Sequence, residues 1–389
     1  MAKTRARRWW NDERIRGIFY QMALLAFVVA LGWFLVSNTL RNLEARHIAT
    51  GFGFLEREAA FGISETMVRY AATDSYLRAF AVGILNTLKV SILGILLCTL
   101  LGVVIGIARL SRNWLISRLA GVYVEVMRNV PLLLQLFVWY ALITEGLPTA
   151  RQALNFMDVV FLSNRGLKIP YPVWNESMIL VAGALAAGLL AAVVLARWAQ
   201  KRHEATGQTF PSFAVGMALI VGLPLLAFLA GGSDLTFEVP RLTGFNFQGG
   251  ATLSPEFAAL LLGLTLYTGA FVAEIVRGGI LAVPHGQTEA ALALGLNRTQ
   301  ILRLVVLPQS LRVAVPPLTS QYLNLTKNST LAVAIGYPDL VSIGNTAINQ
   351  TGQAVECVAI IMAVYLTISL VLSVLMNWFN ARVALIGGR

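Results

Sequence analysis

The sequence predicts an all-α integral membrane protein of about eight transmembrane helices. Three observations predict it. Hydrophobic residues fill 57% of the 389 positions, charged residues only 13% against about 25% in a soluble domain, and the apolar residues gather in runs of span length. A helix needs about 20 apolar residues to cross the hydrocarbon core. Such runs lie at about 18–38, 80–108, 120–143, 177–197, 211–231, 256–282 and 356–379. An eighth, at about 309–331, is interrupted by Pro316, Pro317, Asn324 and Lys327. Interrupted or charged helices occur inside membranes where they face a bundle interior or a cavity, so this run is counted as a span.

The first span follows the basic stretch MAKTRARRWWNDERIRG. It is longer than the apolar part of a typical signal peptide and lacks a clear small-residue cleavage site, which reads as a retained signal-anchor. Eight spans put both termini on one side. Nineteen of the thirty Lys and Arg then fall on that side, and the positive-inside rule makes it the cytoplasm. The net charge of +11 is accounted for by those loops rather than by nucleic acid. In the outer segment 39–79 basic residues alternate with Glu44, Glu56, Glu58, Glu65 and Asp74.

The outer segments 145–176 and 232–255 are mixed in composition, and no soluble domain of useful size is expected. Trp9, Trp10, Trp33, Trp114, Trp174, Trp198 and Trp378 mostly sit near span ends, as interfacial anchors do. Cys98 and Cys357 both lie in apolar runs and read as small core residues; no metal cluster or disulfide framework is indicated. No G-x-x-x-x-G-K-[ST] loop occurs, so the chain carries no P-loop of its own. No catalytic residues and no cofactor are assigned to it.

The stretch EAALALGLNRTQILRLVVLP, Glu289 to Pro308, lies between the sixth and seventh runs on the cytoplasmic side. Pro284 and His285-Gly286 are expected to end the preceding span. Residues 287–294 have room for two helical turns, with Ala290, Ala291 and Ala293 keeping one surface thin. Gly295 suits the left-handed position that stops a helix, and Asn297 with Gln300 has capping-box spacing for the next one. A plain cytoplasmic loop and a small projecting lever are both open on this reading. A DNA-binding helix-turn-helix is not, because about twenty residues between spans leave no room for a supporting core.

The same stretch resembles the EAA loop of ABC-importer permeases, with Glu289, Ala290, Ala291, Gly295, Leu307 and Pro308 in register and Val305 where that family prefers Ile. RNVPLLLQLFVWY (128–140), the segment 267–291 and LPQSLRVAVPPLTSQYLNLTKNSTLAVAIGYPDL (307–340) resemble the polar amino-acid branch. In the first, Asn129 and Val130 are variants. The length and the added spans are similar to the Q-type permease of general L-amino-acid uptake systems. The resemblance implies a type I ABC importer permease core of five spans (80–108, 120–143, 256–282, 309–331 and 356–379) plus three extra spans. It implies a domain at 80–383 with an inserted span pair at about 177–231, after an N-terminal part at 1–79. It also implies a heterodimer with a second permease, an ATPase dimer that binds ATP and Mg, a periplasmic amino-acid-binding protein, and the bacterial inner membrane as location. On this resemblance Glu289, Ala290, Ala291, Gly295 and Pro308 form the ATPase-coupling loop.

A zwitterion in a desolvated passage needs polar partners for both charges. Candidates for such a path are Asn86, Gln135, Thr268, Lys327 and Asn328, along with Thr87. The alternative for each amide or hydroxyl is an interhelical hydrogen bond, and for Lys327 it is snorkelling to the outer interface. Glu125/Arg128 and Glu274/Arg277 share i,i+3 spacing on helices. They read either as interfacial ion pairs or as an inner gate or brace for the loop. An ion-coupled secondary transporter would show paired broken helices in two related halves, whereas one interrupted span is evident. A membrane scaffold explains the spans but not the loop spacing.

Overall fold

The computed structural model describes residues 13–45, 50–173, 176–208, 210–230, 237–244 and 246–385. The basic stretch through Asp12, along with Trp174 and Phe245, lies outside the described residues. In order, the helices are α1 (Glu13–Ala45), α2 (Tyr76–Ala108), α3 (Trp114–Asn129), α4 (Leu132–Thr144), α5 (Glu176–Thr206), α6 (Ser212–Ala230) and α7 (Pro255–Leu281). They continue with α8 (His285–Ala293), α9 (Arg298–Ile301), α10 (Leu307–Asn328), α11 (Leu340–Thr351) and α12 (Ala354–Leu385). Among the described residues, seven helical stretches are long and apolar enough to cross a membrane, or eight if α3 and α4 make one broken span.

The expected span at 120–143 is therefore corrected: it is not one helix but two, parted at Val130-Pro131. Pro131 cannot donate to the helical ladder and disfavours helical backbone in Val130 before it. The interrupted run at 309–331 behaves in the opposite way. Pro316 and Pro317 lie inside α10 without ending it, and a 3-10 stretch, Ser329–Ile335, prolongs it.

The described chain divides into two compact units, residues 1–129 with 264–389 and residues 130–263. In the first unit, α2 packs closely on α7 through small residues. A Cβ on Gly106 would lie 2.7 Å from the carbonyl oxygen of Ala273, and Gly102 faces Val272 just as tightly. The spacing Gly102-x-x-x-Gly106 lets two backbones approach where lipid offers no hydrophobic driving force. At the other end of α2, Phe54, Tyr76, Phe80, Leu340 and Ile343 form a buried cluster. It joins the segment before α2 to α11. Gly51 N–H donates to Glu356 Oε1 at 2.6 Å, and Gln353 Nε2 donates to the Gly51 carbonyl at 3.0 Å. Lys89 and Glu65 form an ion pair at 2.5 Å.

In the second unit α5 and α6 pack against each other, and a Cβ on Gly188 would lie 2.8 Å from the carbonyl of Leu219. The segments of mixed composition at 145–176 and 232–255 are not structureless. They form short strands β1 (Leu154–Phe156), β2 (Val160–Ser163), β3 (Gly166–Ile169), β4 (Tyr171–Pro172), β5 (Phe237–Glu238), β6 (Arg241–Thr243), β7 (Asn246–Gln248) and β8 (Ala251–Leu253). Strands β1-β2-β3-β8 make one antiparallel sheet, with Leu167 opposite Leu253. Lys168 in β3 is buried and donates to Thr252 Oγ1 of β8 at 2.5 Å. Burial, then the neighbouring charge of Arg165, lowers its pKa.

Candidate functional site: the loop between α7 and α10

The loop is stiffened by its own backbone. α7 ends at Leu281, and Pro284 stands at the N-cap of α8. His285-Gly286 therefore opens a helix rather than ending the preceding span, which corrects that expectation. Proline before a helix fixes φ where no intrahelical donor is needed. α8 stops as expected. Gly295 has φ +75°, its N–H donates to the Leu292 carbonyl at 2.9 Å, and the Leu296 N–H reaches back to Ala291 O at 3.2 Å. This double closure satisfies carbonyls that a helix end leaves open.

Asn297 then caps α9 in both directions. Its Oδ1 accepts from the Gln300 N–H at 2.9 Å, and its own N–H donates to Gln300 Oε1 at 2.9 Å. A wider π turn, Leu302–Val306, connects α9 to α10. It sits just before Pro308, which has no N–H to give and whose ring would crowd the Leu304 carbonyl in a regular helix.

Within α8 only Ala291 is buried; Glu289 and Ala290 are exposed, and Leu294 is 81% exposed. Glu289 Oε1 lies 3.1 Å from His285 Nδ1, both side chains facing solvent. The loop thus offers a thin, mostly apolar ridge with one carboxylate at its side and a rigid backbone beneath.

Close by in sequence, Glu274 of α7 is held by two arginines. Arg277 Nη2 approaches Glu274 Oε1 at 2.5 Å, and Arg109 at the end of α2 takes the other carboxylate oxygen. The sequence pairing of Glu274 with Arg277 is present; Arg109 is a partner that sequence reasoning missed, because 165 positions separate it from Glu274. The other expected pair is corrected. Among the described residues Glu125 and Arg128 form no ion pair, and the Arg128 guanidinium lies 5.1 Å from the centre of the Phe271 ring instead.

The path candidates occupy different settings. Asn86 is fully buried, and its Nδ2 donates at 2.9 Å both to Glu65 O and to Pro338 O. Thr87 Oγ1 accepts from the Leu340 N–H at 3.1 Å. Gln135 lies in the first turn of α4, not deep in a span, and donates to the Val130 carbonyl at 3.0 Å across the break. Thr268 is buried on α7. Lys327 and Asn328 end α10, with Lys327 exposed. No hydrogen bond or ion pair joins Asn86, Thr268 and Lys327 to one another among the described residues. Sequence reasoning also missed Asp339, fully buried, which caps α11 by accepting from the Ser342 N–H at 2.8 Å. Its signal was present as Asp-x-x-Ser ahead of an apolar run.

Long apolar helices, with a stiff, exposed loop between two of them, define a multi-span membrane protein. The chain belongs to the family of binding-protein-dependent transport system inner membrane components, whose model matches residues 179–385. It is 50% identical to the general L-amino acid transport system permease protein AapQ of Rhizobium johnstonii, over 96% of this chain and 94% of that one. It is also 50% identical to the putative amino-acid ABC transporter permease protein YhdX of Escherichia coli, over 95% and 94% of the two chains. It is 42% identical to the glutamate/glutamine/aspartate/asparagine transport system permease protein BztB of Rhodobacter capsulatus, over 96% and 95%.

Proposed function

We propose that this chain is the amino-acid-conducting permease subunit of an ATP-driven importer, and that Glu289–Gly295 is the lever on which a separate ATPase acts. The carrying observation is the loop geometry. A nine-residue helix, closed by Gly295 at φ +75° and followed by a capping box, stands exposed between two long helices. Its small side chains leave room for a partner's cleft, and its hydrogen bonds make it stiff enough to transmit force. The relatives' names support amino acids as the cargo.

The mechanism follows from that reading. An ATPase dimer closes on ATP and Mg, pulls α8, and rocks the helices joined to it so that a path opens toward a loaded periplasmic binding protein. Hydrolysis resets the bundle. A second permease completes the path, and both termini of this chain face the cytoplasm. Residues 80–383 form the permease domain and 1–79 precede it; the spans near 18–38 and 177–231 help dock the binding protein. Gln135, Thr268, Lys327 and Asn328 border the passage, whereas Asn86, fully buried and bonded to Glu65 O and Pro338 O, holds α2 against the chain ahead of α11. Arg109, Glu274 and Arg277 brace the inner end, with Glu125 and Arg128 beside them. Nothing in this scheme asks the chain itself for covalent chemistry.

The test is a co-purification from the native host, with the tagged chain and a Gly295→Val variant side by side. The expected result is an ATPase subunit and a second permease with the native chain, and loss of the ATPase from the variant. A chain that purifies alone in both forms and still imports amino acids would overturn the reading.

A further inference from the structure

A second feature lies at the end of α2. Arg109, Arg112, Arg118 and Arg277, with Trp114 and Gly121, line a pocket of about 460 Å³. That volume falls within the range of small-molecule sites, about 300–1,000 Å³. The four arginines are set against two carboxylates, Glu274 on Arg109 and Arg277 and Glu125 on the pocket wall. Arg112 and Arg118 have no acidic partner among the described residues. The pocket therefore keeps an excess of positive charge and two guanidinium groups free to grip an anion.

The helix that forms one wall says where such an anion would come from. On α3, Trp114, Arg118, Gly121 and Glu125 fall at intervals of four, three and four, so they share one stripe, and this stripe lines the pocket. The adjoining stripe, Leu115, Leu119, Val122 and Val126, is apolar and exposed. Trp114 at the helix start is 75% exposed, and exposed tryptophan at a span end marks the headgroup level. A ligand here meets charge on one side and the exposed apolar stripe of α3 on the other, a combination that suits an amphipathic anion. A Cβ at Gly121 would meet nothing within 4 Å, so the pocket floor is open there.

We propose that this pocket binds the phosphodiester headgroup of an anionic phospholipid of the cytoplasmic leaflet, gripped by Arg112 and Arg118, with its acyl chains along the apolar stripe of α3. The assignment rests on the proposed orientation of the chain and does not depend on what is transported. Basic pockets at the cytoplasmic side of membrane helices are where anionic headgroups bind.

The test is native mass spectrometry of the full chain with the subunits that accompany it, titrated with phosphatidylglycerol and, separately, phosphatidylcholine. Phosphatidylglycerol is expected to be retained in preference. Retention falls about thirtyfold in R112Q/R118Q, from the contribution of two basic residues near a membrane surface. It survives to within a few-fold in R112K/R118K, which keeps the charge. G121F keeps every arginine, fills the floor, and lowers retention as well. Equal retention of the two lipids, or unchanged retention in R112Q/R118Q, overturns the proposal. Displacement of the lipid by millimolar inorganic phosphate overturns it in favour of a free-anion site. Loss of an ATPase subunit from R112Q/R118Q with lipid retention intact assigns the pocket to that subunit instead. The same spectra show whether any ATPase accompanies the native chain, so a failure of the importer reading is seen separately.

Discussion

At Gly295 and at Gly336 the chain leaves a helical segment in the same way. Each glycine has positive φ, +75° and +79°, and donates its N–H three residues back. The following residue donates five residues back, to Ala291 and to Ala332 respectively. A polar N-cap then starts a new helix, Asn297 in one case and Asp339 in the other. The surroundings differ completely. Around Gly336, Tyr337, Asp339 and Leu340 are buried against α2, with Asn86 and Thr87 supplying hydrogen bonds. Around Gly295 the side chains stand in the open. One local design is a fixed joint where the core closes over it and stands exposed where nothing does. Burial, not backbone form, sets the role.

The largest expected effect is at the buried joint. Asn86→Leu leaves the carbonyls of Glu65 and Pro338 without their donor, at a cost of about 1–3 kcal/mol for each buried group. A thermal unfolding scan of the purified complex is expected to show a drop in Tm of many degrees. A Tm unchanged from the native protein would mean that the joint is not what holds α2 to α11.

Asp339 sharpens the contrast through pH. Burial pushes its carboxyl up to about 7, above the 3.8 of the unfolded chain, so the folded state holds the proton more tightly. Its contribution to stability is therefore full below about pH 4 and declines as pH rises toward 7. Asp339→Asn is expected to flatten that part of the Tm–pH curve, whereas Glu289→Gln on the exposed loop leaves it unchanged. An identical pH profile in native protein and Asp339→Asn would contradict the buried setting.

Gly295→Val tests the lever. A β-branched residue at φ +75° is strained by about 1–2 kcal/mol, but the strain is confined to an exposed loop. Uptake and ATPase retention are expected to fall while Tm moves little; the mirror variant Gly336→Val lowers Tm first. Asn297→Ala, which removes one cap worth about 1 kcal/mol, reduces uptake partially. Arg277→Ala comes last. Arg109 still holds Glu274, and partly exposed ion pairs contribute about 0–1 kcal/mol, so transport assays are expected to show a modest loss. Abolished uptake with normal assembly would make Arg277 a gate rather than a brace.

Much of this was legible in the amino-acid order. Apolar runs marked the helices because a bilayer admits little else, and Gly295, Asn297 and Gln300 marked the loop because caps are local devices whose donor and acceptor lie within a few residues. The break at Val130-Pro131 was hidden by the length of the third apolar run, which reads as one continuous span. The strands were not legible: two to four residues are too few to show a period, and β3 finds β8 across 84 positions. The pairing of Arg109 with Glu274, and of Glu65 with Lys89, likewise left no trace in spacing.

By itself, then, the sequence determined that the chain is a helical membrane protein with a stiff loop. Hydrophobicity, helix capping and the special backbone of glycine and proline act within a turn or two of the chain. Tertiary structure decided which polar residues are joints and which are free. It sank Asn86 and Asp339 into the α2–α11 corner, drew Arg109 to Glu274, and left Glu289 and Leu294 exposed. Burial is a property of what packs over a residue, and the residues that pack lie far away in the chain.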